Sequence, residues 1–136
     1  MKILDQPSVF AAEIDLKFSE IRTIKELTEF FRKMILRLFE VSGIDDKIVG
    51  HIKIYSEGKN GSSIRANLTG NIKDLTVIFN GDGEETELKV WINVITFMVK
   101  KEELLKNVKD AIVAFFKNYK EIKEFSFDTF KICENH

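Results

Sequence analysis

Cysteine is nearly missing from this sequence. The one residue, Cys133, has no partner for an internal disulfide, so nothing in the chain calls for an oxidising compartment. Proline also occurs once, as Pro7, just ahead of an alternating stretch, a strand entry where its absent N–H costs little. No uncharged apolar run approaches the roughly 18 residues a membrane-spanning helix needs. The opening MKILDQPSVF has no apolar centre of the signal-peptide kind. A cytoplasmic protein without a membrane partner is the expectation. Charge of one sign is lacking as well: 21 basic residues stand against 22 acidic ones, for a net charge of -1. Tight nonspecific nucleic-acid binding needs a surplus of Lys and Arg to displace counterions, so nucleic acid is not an expected partner.

Catalytic and metal motifs fail on their spacing. Around Glu57-Gly58-Lys59 a phosphate loop would need Gly at position 53 and Ser or Thr at position 60, where Lys53 and Asn60 stand. Asn80, Asp82 and Glu84 alternate like calcium-loop ligands, but the sixth and twelfth positions are Glu85 and Trp91 instead of Gly and Glu, so an acidic, solvated hairpin tip is expected. Cys133 and His136 have the spacing of half a zinc site, yet the only other histidine is His51 and there is no second cysteine. A thiol so near the chain end is a poor place to hold nucleophilic geometry. No catalytic residue, metal site or cofactor is assigned, and the sequence leans away from an enzyme.

What is abundant is patterned apolar residue. Twelve Phe against two Tyr and one Trp put ring area where no polar handle is wanted, in cores and interfaces. At 136 residues the chain is read as a single α+β domain, residues 1–136, long enough to bury about two-thirds of its unfolded surface. Val9 to Phe18 alternates as a strand with one buried side. Thr23-Ile24-Lys25-Glu26 is a capping-box pattern, followed by Leu27, Phe30, Phe31, Met34, Ile35 and Leu38 at helical steps and a stop at Gly43. Leu36 and Phe39 widen that stripe, which predicts contact with the sheet plus a second helix or a partner chain. Four strands follow between Lys47 and Phe97, joined at 57–61, at Gly70-Asn71 and at 80–83. In the third of them Leu75, Val77 and Phe79 are expected to face inward. A second helix runs from Glu102 to about Lys120, and a last strand from Lys123 to Cys133.

The order is therefore β-α-β-β-β-β-α-β, a two-layer α+β sandwich. A central four-stranded antiparallel meander is expected with outer strands joining its edges and two long amphipathic helices on one face. If that register holds, the other sheet face collects His51, Tyr55, Arg65, Asn67, Trp91 and Asn93, with Lys53, Thr69 and Lys89 among them. Aromatic planes, hydrogen-bonding groups and cations on a rigid platform suit binding. The expected function is a non-catalytic binding or assembly module that self-associates as a homodimer through this sheet face or the wide helix stripe. The runner-up is a small-molecule carrier or single-domain enzyme with a pocket around His51, Tyr55, Arg65 and Trp91, in which His51 alone has an ordinary pKa suited to proton transfer near neutrality. RNA binding by base stacking on the open face comes third. A cavity between sheet and helices for an apolar ligand is a further alternative.

Overall fold

The computed structural model describes residues 3–133, and side chains as far as residue 128. Strand β1 (Ser8–Arg22) leads into helix α1 (Ile24–Ser42). Strands β2 (Lys47–Gly58), β3 (Ser63–Asn71), β4 (Thr76–Asn80) and β5 (Glu85–Thr96) follow, then helix α2 (Lys101–Lys117) and strand β6 (Ile122–Cys133). The α+β class and the element order are those expected. All six strands form one antiparallel sheet in the order β4-β3-β2-β5-β1-β6.

That order departs from the expected meander at its last strand. β2, β3 and β4 follow one another across the sheet, but β5 crosses back and inserts between β2 and β1. The physical reason lies in ladder length: β4 is a five-residue strand, whereas β5, with twelve residues, pairs along its length with both β2 and β1. β1 is correspondingly an interior strand and not an outer one; only β6 joins an edge. β1 and β2 run in the same direction with β5 between them, and β5 and β6 do so around β1. The core is thus two interleaved split β-α-β units, with hairpin β3–β4 added at one side.

The crossover from β4 to β5 is built from residues 81–84, passing beneath the β2–β3 turn. Gly83, at φ 78°, lies so close to α1 that a Cβ there would sit 2.5 Å from the Ile24 nitrogen. Ser62 Oγ accepts from the Gly83 amide at 2.9 Å. Glu85, fully buried, then accepts from the amides of Asn60 at 2.7 Å and Ser62 at 2.9 Å. Asn80, Asp82 and Glu84 are exposed as a solvated tip would be, but Gly83 and Glu85 are buried because this segment is a clasp and not a hairpin. The link between β3 and β4 also differs from a tight reversal: residues Ile72–Asp74 form a 3-10 turn, with Asn71 accepting from the Lys73 amide at 2.9 Å.

Both helices cover one face. Thr23 caps α1: its Oγ1 accepts from the Glu26 amide at 3.2 Å, and Glu26 Oε1 accepts from the Thr23 amide at 3.1 Å. Ile14, Leu16, Ile52, Ile54, Ile64, Ala66, Leu68, Val90, Ile92 and Val94 point under the helices and are buried, so the strand phase read from alternation holds. Phe79 shares the inward side of β4, opposite Ile64, yet it is 49% exposed, because β4 is the edge strand with no neighbour on its outer side. The wide stripe of α1 is consumed within the chain. Phe30 lies 5.5 Å from Phe18, 5.3 Å from Phe115 and 4.8 Å from Tyr119, ring centre to ring centre. Rings from β1, α1 and α2 thus fill the space between the helices and the sheet, which is where the Phe surplus goes.

Candidate functional site

Antiparallel registry arranges the uncovered sheet face in cross-strand rows. The central row runs Glu13, Trp91, Tyr55, Arg65 and Ile78 across β1, β5, β2, β3 and β4. Tyr55 and Trp91 rings are 5.5 Å apart at a 31° tilt, and the Arg65 guanidinium lies 5.2 Å from the Tyr55 ring centre. The Tyr55 hydroxyl donates to Glu57 at 2.8 Å; that hydrogen bond, ahead of desolvation, raises the phenol pKa. A neighbouring row holds Ala11, Asn93, Lys53, Asn67 and Thr76, and beyond it Val9, Ile95, His51 and Thr69.

All six residues singled out from the sequence therefore lie on this face, but not in one pocket. Tyr55, Arg65 and Trp91 are in contact or adjacent; Asn67 and Asn93 flank Lys53 one row away. His51 stands four residues from Tyr55 along β2, about 13 Å at strand rise. Burial first, and then the Lys53 charge, lower its pKa and favour the neutral imidazole. A shallow groove of about 380 Å³ is lined by Lys53, Tyr55, Arg65 and Asn67. It is open, as is a second groove of about 690 Å³ where β1, β5 and β6 meet the β2–β3 turn.

That second groove was not visible in the sequence, because it needs β1 beside β5 and β6 beside β1. Lys89 lies 3.5 Å from Glu13, 3.6 Å from Asp15 and 3.2 Å from Asp128. Lys17 lies 3.1 Å from Glu124 and 3.7 Å from Glu87, and Lys59 lies 3.1 Å from Glu87. A hydrogen bond shared with Asp128 is the largest influence on Asp15 and raises its pKa; the same bond lowers that of Asp128. The only hint in the sequence was the alternation of β1, which sets Glu13, Asp15 and Lys17 on the face opposite its apolar residues.

The face is consequently uneven in charge, although Glu57 stands on β2 among the basic residues. Glu13, Asp15, Glu87, Glu124 and Asp128 lie on the β5-β1-β6 side with Lys17 and Lys89; Lys53 and Arg65 lie on β2 and β3, and among the described residues no carboxylate pairs with either. No group of His, Cys, Asp and Glu suited to a metal occurs among the described residues, and the Cys133–His136 pair lies outside the described side chains. No helix among the described residues is long and apolar enough to cross a membrane. Protein-family models, curated proteins and solved structures were compared with the chain, and none matches.

Proposed function

We propose that this chain is a non-catalytic binding and assembly module, working in the cytoplasm, that self-associates through the open face of its sheet. One observation carries the reading: the Trp91–Tyr55–Arg65 row stands on a face that neither helix covers, backed by a fully packed core. Aromatic and arginine side chains at the centre of a rigid surface are what protein interfaces use as anchors. The helix stripe offers no comparable surface, since α2 and the sheet already occupy it.

Sedimentation velocity tests this. The expected result is a species above the 15.8 kDa chain mass at micromolar concentration, lost in Trp91→Glu while the far-ultraviolet circular dichroism is kept. A monomer at every concentration up to about 100 µM, an association weaker than about 5.5 kcal/mol, would overturn it.

A second reading has its own observation, the groove formed by Lys53, Tyr55, Arg65 and Asn67. A planar anionic small molecule stacked on Tyr55 under Arg65 fits that chemistry. It predicts a thermal shift with such ligands that disappears in Arg65→Ala. RNA binding finds less support, because the acidic half of the same face repels a phosphate backbone.

A further inference from the structure

Resting on the self-association reading, we infer that the second copy packs face to face about a two-fold axis running along the strands at the β2–β5 seam. Arg65 of each copy then stands over Glu13 of the other, and Glu57 over Lys89.

Three features select this geometry. The seam divides the sheet evenly, β4-β3-β2 on one side and β5-β1-β6 on the other, so this axis lays the whole sheet over itself. Tyr55 and Trp91, which flank the seam in one row, exchange partners under it, Tyr55 of one copy against Trp91 of the other. Farther along the same seam, Val49, 39% exposed, and Ile95 add apolar area towards its end.

Charge decides between this axis and its alternative. A two-fold axis lying across the strands through the Tyr55 row would set β3 over β3 and β1 over β1, bringing Arg65 against Arg65 and Glu13 against Glu13. The axis along the strands instead keeps each row in place and sets β3 over β1 and β2 over β5, so Arg65 meets Glu13 and Glu57 meets Lys89. Like charges across an interface oppose association, and complementary ones fix its register. Size permits the contact: six strands by about nine residues span roughly 29 by 30 Å, matching the ~800 Å² per partner of a standard interface. Strands of the two copies would run aligned, as in an ordinary sheet-on-sheet sandwich.

The test is a charge-reversal cycle read by sedimentation equilibrium on the full chain, with circular dichroism to confirm folding. Arg65→Glu and Glu13→Arg are each expected to weaken the dimer at least tenfold, and the double reversal to recover most of that loss. If the double variant is no tighter than the singles, or the singles dimerise as well as the parent, the seam geometry is wrong. Should Trp91→Glu still abolish the dimer in that case, the open face remains the contact surface and only the orientation fails. If Trp91→Glu also leaves the dimer intact, both readings fall together.

Discussion

At the scale of single residues the most informative group is Glu85. A fully buried carboxylate is tolerable only because two backbone amides of the β2–β3 turn point into it. Glu85→Ala would leave both amides without an acceptor, and is expected to lower stability by about 2–4 kcal/mol in urea titrations; Glu85→Gln, which keeps one acceptor oxygen, should lose less. Ser56 is the converse case. Its side chain is buried and its hydroxyl has no hydrogen-bond partner among the described residues, so Ser56→Ala is expected to leave the melting temperature unchanged or raise it. His51 supplies a pH signature. Because its pKa is lowered from the ordinary 6.5 by burial and Lys53, the unfolded chain takes up a proton there before the folded one. Its contribution to stability is complete above 6.5 and is lost as pH falls through the window below that value. Proton NMR titration should place the His51 midpoint under 6.5, and His51→Gln should flatten this segment of the stability–pH curve.

Among the elements, α1 was the most legible. Capping box, apolar spacing and stop all appear in the sequence, because each depends on neighbours within one or two helical turns. Its entry is accordingly a local contribution: Thr23→Ala is expected to lower stability by about 1 kcal/mol, a drop of a few degrees in melting temperature, without altering the association state. The strands were legible in phase but not in company. Alternation tells which side of β5 faces the core, yet Leu88, Val90, Ile92 and Val94 would alternate identically beside β4 or between β2 and β1. What decides is the clasp at 81–85, whose Gly83 and Glu85 act on residues 24, 60 and 62, distant in sequence. Phe79 shows the same limit at an edge: its phase is inward, but β4 has no strand on its outer side to enclose it.

At the scale of the whole molecule, the near-zero net charge conceals a face whose carboxylates crowd the β5-β1-β6 side, while Arg65 and Lys53 stand with Glu57 on the other. Contacts made by such a division weaken with salt, as the Debye length falls from about 10 Å at 0.1 M to about 3 Å at 1 M. Dimerisation should therefore loosen several-fold between those concentrations if charge orients it, while the Trp91–Tyr55 centre keeps it from vanishing; a Kd that tightens steadily with salt would point to apolar contact alone. The sequence by itself determined the α+β class, the order of elements, the capped helix and the buried side of each strand, since these follow from periodicity and short-range hydrogen bonding. It also placed His51, Tyr55, Arg65, Asn67, Trp91 and Asn93 on one face. Only the tertiary structure decided that β1 lies between β5 and β6, and so brought Glu13 and Asp15 beside Lys89 and set an acidic flank across the seam from Arg65. Strand neighbours are chosen by the total length of ladder and core they close, a quantity that no local stretch of residues encodes.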